Sequence, residues 1–469
     1  MKTLALAAAT SALLFFGSPE THRTIEQHYA TAATQRIELT GFSGAQLTVR
    51  CWEKNEVSIK LDISYTSSNK KEEQQYLDAI TLRENRSQGE LRIDYFEPEI
   101  SNQGNRSLWS GLKSLFTGAY QSKEIRGEIL VPSSNALALD ARYGTVSLDG
   151  VKGLLRLTGT GNTVTINNCS ALGDVSNDYG KVTVKNCGGS LRLESKSTTV
   201  IVEQFAGSAV IDAEYSNINV HDVSRSLSIH SSSGTITVEK VGEDATIRSP
   251  YTYVTVSNIG GMLEVEDQSG TVRARAMDGV KVTNEYGPIE ISDVTGKAGK
   301  PIILGGQSGT ISVTNAKGNV QIKNPYGPVT LRDIKGNVDL QSKSNQVVAN
   351  RISGDWSSRT EYCTISIEEL SAKTVTMTNT GGPIELSLQS VPTTIDIKNE
   401  YAKVDVEMPK GFSGEVDLNV SYGSIKTNLE LSKTKSFDAG GGYAMGKIGS
   451  GNGKLSIETK SGELRVMQR

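Results

Sequence analysis

Apolar and polar residues alternate along most of this chain, and the alternating unit returns every eighteen residues. Counted from the turn Arg142-Tyr143-Gly144-Thr145, one apolar column reads Val146, Val164, Val182, Val200, Ile218, Ile236, Val254 and Val272. Every member is β-branched. After a one-residue slip and a short insertion the column resumes as Ile289, Ile311, Val329, Val347, Ile365, Ile384, Val404 and Ile425. A second column two residues further on (Leu148, Ile166, Val184, Val202, Val220, Val238, Val256, Ala274) gives each repeat a strand with one apolar and one polar face. Each strand leads to a glycine-bearing turn, at Gly153, Gly189, Gly207 and Gly261 for example, and then to a second short strand such as Leu191-Arg192-Leu193. So thin a repeat cannot bury its apolar face alone, so successive repeats must stack like on like. The pattern predicts an all-β fold whose main part, residues 136–430, is a parallel β-solenoid with an 18-residue repeat.

A slower beat overlies the first. The residue three before the first apolar column alternates between tyrosine and a small residue, giving Tyr143, Tyr179, Tyr215, Tyr251, Tyr286, Tyr326 and Tyr362. Two geometries fit. Either each coil has eighteen residues and tyrosine alternates with a small residue up one corner, or a coil spans thirty-six residues with separate Tyr and Ser corners. The tyrosines form a candidate binding ladder for sugars or a partner strand; the alternative is that each ring covers its corner and keeps its hydroxyl wet.

Residues 24–135 break the eighteen-residue pattern. The segments Gln35–Leu39, Ala45–Val49, Glu56–Leu61, Glu90–Ile93 and Gly127–Val131 alternate and read as antiparallel strands of a small β domain or cap, which would protect an end strand from edge pairing. An insertion over 99–121 carries Trp109, Leu112, Leu115 and Phe116 at helical spacing. That stripe reads as a loop helix packed on its own sheet or as an exposed surface anchor. Residues 431–469 read as strands that cap the carboxyl-terminal end.

Composition narrows the function classes. Of 469 residues 47 are glycine, aromatics make up 6%, and hydrophobic content is 36%, which suits thin coils with many turns. Lys plus Arg is 49 against 52 for Asp plus Glu, and no basic stripe appears, so nucleic acid is not an expected partner. Met1-Lys2 followed by the apolar stretch Thr3 to Phe16 reads as a secretory signal over residues 1–18, so export to the periplasm, cell surface or medium is expected. Membrane contact is expected only through that segment or the 108–116 stretch.

Candidate chemistry is sparse. Cys169 and Cys187, one repeat apart, would stack on adjacent strands at about 4.8 Å and form a candidate disulfide. Their column otherwise holds Val151, Phe205, Val223 and Val241, so cysteine as a small buried hydrophobe is the simpler explanation. Gly441 to Lys447 imitates a phosphate-binding loop, but Ile448 stands where a Ser or Thr would hold magnesium and no helix pattern follows. None of the four histidines (His22, His28, His221, His230) lies in a metal or triad motif. No catalytic residue, metal ligand or cofactor is assigned. Carboxylate pairs such as Asp293 with Asp333, or Glu361 with Glu368 and Glu369, keep a glycan-cleaving enzyme open as an alternative.

The stretch Ile37-Glu38-Leu39 through Val49-Arg50-Cys51-Trp52-Glu53-Lys54-Asn55-Glu56-Val57-Ser58-Ile59, the repeated Tyr-Gly-x-Val and Ser-Gly-x-Ile turns, and the ending Thr459-Lys460-Ser461-Gly462-Glu463-Leu464 resemble the bacterial putative adhesin family of exported β-strand-repeat proteins. The resemblance spans about 35 to 467. It implies an exported right-handed parallel β-helix with an adhesive or scaffolding role, and it transfers no catalytic residue. The expectation is a non-enzymatic envelope solenoid that binds a surface, a glycan or its own kind along a sheet face; the alternatives are a glycan-active enzyme and a self-assembling scaffold.

Overall fold

A computed structural model describes residues 21–67, 69–98, 122–436 and 440–469. The export segment 1–18 and the stripe Trp109, Leu112, Leu115 and Phe116 lie outside the described residues. The chain is about 71% strand and 3% helix and forms a β-solenoid of about 15 turns with a small antiparallel region near its amino terminus. It divides into two compact units, Met1–Gly153 and Leu154–Arg469.

In the second unit the apolar column becomes a parallel ladder. Val164, Val182, Val200, Ile218, Ile236, Val254, Val272, Ile289, Ile311, Val329, Val347, Ile365, Ile384 and Val404 are successive register partners. Partners stand eighteen residues apart over most of this run, so the coil has eighteen residues and the thirty-six-residue alternative is excluded. The step from Val272 to Ile289 is one residue short, and the next absorbs the 3-10 turn Lys297–Gly299. A second parallel ladder runs Leu191, Ala209, Leu227, Ala245, Leu263, Val280, Ile302, Val320, Val338, Trp356, Val375 and Ile395. Side chains of both ladders are almost completely buried. Each buried Val, Leu or Ile contributes about 1.5–3 kcal/mol, and no coil could seal these groups from water without its neighbours.

One backbone feature holds the bend between the two strands of each coil. Asn168, Asn186, Gln204, Asp222, Lys240, Asn258, Ala276, Asp293, Asn315, Asp333, Arg351 and Glu369, one per coil, all have φ between 52° and 64°. Asn and Asp tolerate this left-handed conformation through local hydrogen bonding, whereas Ala carries its cost uncompensated. Ala276→Gly is therefore expected to raise the unfolding free energy by about 0.5–1 kcal/mol, and Asn258→Val to lower it by at least about 1 kcal/mol, in denaturant titrations.

The first unit departs from the antiparallel reading. Arg36–Ser43 and Ala45–Trp52 are parallel strands with partners on both sides: Ile37 pairs with Leu137 and with Leu91, and Leu47 pairs with Val146 and with Gly127. Stacking in solenoid fashion therefore begins at residue 36, inside the segment read as a cap. Antiparallel pairing is confined to the outer layer, where Glu56–Thr66 joins Ser122–Pro132, Thr21–Ala30 joins Glu56–Thr66, and Thr81–Ser87 joins Glu90–Phe96. Period-two alternation is the same in both senses of pairing, so the sequence pattern could not separate them. Helix Lys70–Ala79 escaped the sequence reading; its buried Glu73 accepts from Thr21, from Ser67 N–H at 2.7 Å and from Lys70 at 2.9 Å. Those bonds, the Thr21 hydroxyl first, hold its carboxyl down at about 2.

The carboxyl end has a second rearrangement. Strand Gly453–Gln468 lies between two earlier coils, pairing in parallel with Thr394–Tyr401 and Val404–Met408 on one side and with Gly414–Thr427 on the other. The apolar column therefore runs Ile384, Val404, Leu464, Ile425 in space, and Ile425, last in line, is only half-buried. Gly442–Ile448 covers Gly414–Val420 from outside as an antiparallel strand, and Lys433–Ser436 follows it.

Candidate functional site: the tyrosine edge

Tyrosine occupies every second rung of one corner in the second unit. In space the corner reads Gly161, Tyr179, Ser197, Tyr215, Ser233, Tyr251, Ser269, Tyr286, Ser308, Tyr326, Ser344, Tyr362, Gly381, Tyr401, Ser461, Tyr422. Tyr401 and Tyr422 break the rhythm in sequence; the inserted strand supplies Ser461 between them and restores it. Two rungs separate successive tyrosines by about 9.6 Å. These eight side chains are 53–68% exposed. In the first unit Tyr143 is equally open, and the corner position of the neighbouring coil is Gly44.

The alternation has a packing reason. A Cβ built on Gly381 would meet Tyr362 Cδ1 at 3.0 Å, so the Cδ1–Cε1 edge of the Tyr362 ring lies beside the small residue of the next rung. A larger residue at 381 would displace the Tyr362 ring.

Beneath this edge runs an interior polar column that the sequence reading missed: Asn177, Ser195, Ser231, Ser249, Asp267, Asn284, Asn324, Ser342, Thr360, Asn379, Asn399 and Thr459, all buried. Several of them bind the corner's own backbone. Asn284 Nδ2 donates to Gly270 O at 2.7 Å while its Oδ1 accepts from Gly287 N–H at 3.1 Å, Asn324 Nδ2 donates to Gly309 O at 2.8 Å and Gly327 O at 2.9 Å, and Asn379 Nδ2 donates to Gly381 O at 2.8 Å. Buried turn carbonyls need such partners. The available signal was Asn, Ser or Thr recurring five residues before the β-branched column.

Asp267 is the acidic member of that column. Burial pushes its carboxyl above the ordinary 3.8, against backbone N–H groups that pull it down, including Gln268 N–H at 2.8 Å. Because the folded value is raised, the protonated form is favoured: its stabilising contribution is complete below about pH 4 and is lost as pH rises through the raised value. Asp267→Asn should thus raise the melting temperature at neutral pH, with the gap closing below about pH 4. Melting curves at both pH values check this.

Carboxylates line the edge. Asp178, Glu214, Glu285, Glu361 and Glu400 immediately precede tyrosines, and cations from the intermediate rungs meet three of them: Lys196–Glu214 at 3.4 Å, Lys343–Glu361 at 3.4 Å and Lys460–Glu400 at 2.9 Å. Such exposed pairs are worth at most about 1 kcal/mol each and leave the oxygens open to other donors.

The remaining candidates occupy other places. Cys169 and Cys187 are buried thiols on adjacent rungs, with Cys169 N–H donating to Cys187 Sγ at 3.4 Å, Cys169 Sγ donating to Asn167 O and Cys187 Sγ to Lys185 O, each at 3.2 Å. The candidate disulfide is not formed, because both sulfurs turn into hydrogen bonds with their own strands and fill the column that Phe205 and Val223 continue. Asp293 accepts from Asn315 at 2.6 Å, Asp333 holds Arg351 through two oxygens, and Glu368 accepts from Asn350 at 3.0 Å, all on exposed positions. His221 lies 3.2 Å from Glu239 on an open face. Gly441–Lys447 belongs largely to the antiparallel strand Gly442–Ile448, which gives it no phosphate-cradling loop. The sheet face carries an open groove of about 820 Å³ lined by Thr255, Ser257, Arg273, Arg275, Glu290 and Ser312, in which Arg273 and Glu290 pair at 2.8 Å. Among the described residues no group of three or more His, Cys, Asp or Glu could hold a metal ion, and no helix is long and apolar enough to cross a membrane.

No family model matches the chain, and no curated protein matches it. One solved structure that aligns with it is described as a putative cell adhesion protein from Clostridium sporogenes; the alignment covers 96% of this chain and 100% of that one at 8% identity, with a TM-score of 0.17.

Proposed function

We propose that this chain is an exported, non-enzymatic adhesive solenoid that holds an extended surface or polymer through many weak contacts along its tyrosine edge. The observation that carries this reading is the tyrosine on every second rung, kept in phase through the carboxyl-terminal strand insertion and left more than half exposed throughout. Core sealing does not require these rings, since the Val and Ile ladders already close the tube. Scattered exposed aromatics are ordinary, whereas eight in register on one corner make a repeated contact element. Repetition suits avidity: weak contacts in series can exceed any single one by roughly 100-fold or more. The apolar amino-terminal stretch supports work outside the cytoplasm.

A glycan array probed with the full chain, with a product assay on every binder, tests the reading. Binding without product supports it. Turnover of a bound glycan would replace it with the enzyme reading, and an array without binders would leave the self-assembling scaffold as the better account.

A further inference from the structure

Resting on that adhesive reading, we infer that the tyrosine edge takes a neutral, linear polysaccharide of β-1,4-linked hexopyranoses, laid along the solenoid axis with one tyrosine under every second sugar. Period is the first argument. In an extended β-1,4 chain each sugar is flipped relative to the last, so the same ring face returns only at alternate sugars, over a length close to two rungs of about 4.8 Å. The edge has that repeat too, with an aromatic face at one rung and a gap filled by Ser or Gly at the next. The two lengths differ by less than about 1 Å, so a run of a few successive tyrosines can be engaged before register drifts.

Exposure is the second argument. The eight tyrosines are 53–68% exposed, and the flat C–H face of a pyranose packs on an open aromatic surface. Flanking chemistry is the third. Asp178, Glu214, Glu285, Glu361 and Glu400 place hydrogen-bond acceptors beside the rings, where the equatorial hydroxyls of a stacked sugar would project. Lys196, Lys343 and Lys460 balance three of these carboxylates, so the edge carries little net charge and suits a neutral chain. An α-1,4-linked chain coils and cannot hold the two-rung repeat.

The test uses the full chain with particles of β-1,4-glucan and of β-1,4-linked N-acetylglucosamine polymer, against α-1,4-glucan and polygalacturonate. Retention on at least one β-1,4 polymer and on neither control is expected. Replacing Tyr215, Tyr251, Tyr286 and Tyr326 together by Ala should lower affinity roughly 100-fold, while the four Phe replacements should retain most of it. A phase variant carrying Tyr251→Ser and Ser233→Tyr keeps the composition and breaks the interval; it should bind more weakly than the parent while its circular dichroism and melting stay unchanged. Equal binding of the phase variant, equal binding of the α-1,4 polymer, or undiminished binding of the Ala variant would each overturn the inference. If neither β-1,4 polymer is retained but the array yields another glycan, the ligand class falls and the adhesive reading stands; if nothing is bound, both fall. Light scattering in which the Ala variant dissolves an assembly of the parent would instead assign the edge to a second copy of the chain.

Discussion

Deleting residues 453–469 should unfold the carboxyl-terminal coils outright. The strand Gly453–Gln468 is an interior rung: Leu455, Ile457, Leu464 and Val466 are at most 1% exposed, and it has parallel partners on both sides. Its loss removes those groups from the core and leaves two facing rows of backbone donors and acceptors unpaired, at 394–408 and 414–427. Ile457→Ala alone should cost about 2–5 kcal/mol, and the deletion more than any single substitution. Because coils couple mainly to their neighbours, damage should be graded along the solenoid. Hydrogen exchange is expected to lose protection over 394–448 and to keep it over 200–300. Unchanged protection at 414–427 would contradict the strand's interior position.

Gly309→Ala should be among the most damaging small substitutions on the tyrosine edge. A Cβ at Gly309 would stand 1.9 Å from Gly287 O and 2.5 Å from Gly287 C, and Gly287 and Gly327 meet the preceding coil in the same way, at 1.7 and 1.9 Å. These neighbours are backbone, held by the ladder between Ile289 and Ile311, so no side chain can swing aside. Relief requires the coils to separate locally, which breaks ladder bonds and tilts the rings of Tyr286 and Tyr326. A loss of at least about 3 kcal/mol is expected, with weaker glycan retention. Gly305→Ala is the control: its nearest neighbour would be Thr283 Oγ1 at 3.6 Å, an ordinary contact, and its effect should stay within about 1 kcal/mol. Urea titration with exchange-resolved readout separates the two.

Much of the molecule was legible in the chain, and the unread parts share a cause. Val182 and Val200 announce their stacking because buried parallel strands select β-branched residues at a fixed interval. The tyrosine rhythm was equally plain as far as Tyr362. The left-handed column was obscured because Gln204, Lys240, Ala276, Arg351 and Glu369 share a conformation that the sequence marks only at its Asn and Asp members. The polar column beneath the edge was hidden among ordinary turn residues, since Asn324 and Ser342 look the same whether they face water or the interior. Ile425 was read as the next rung after Val404, and the structure places Leu464 there.

By itself, the sequence determined the coil's internal design: which residues face inward, where each coil turns and how often tyrosine returns. Those features follow from local sterics and from the alternation of apolar and polar side chains, which act within one repeat. Tertiary structure alone decided the order in which coils stack at the two ends, with 36–52 and 453–468 each inserted between segments distant in sequence. A strand's hydrogen-bonding edge carries no label for its partner, so the choice goes to the arrangement that leaves the fewest edges and apolar faces in water.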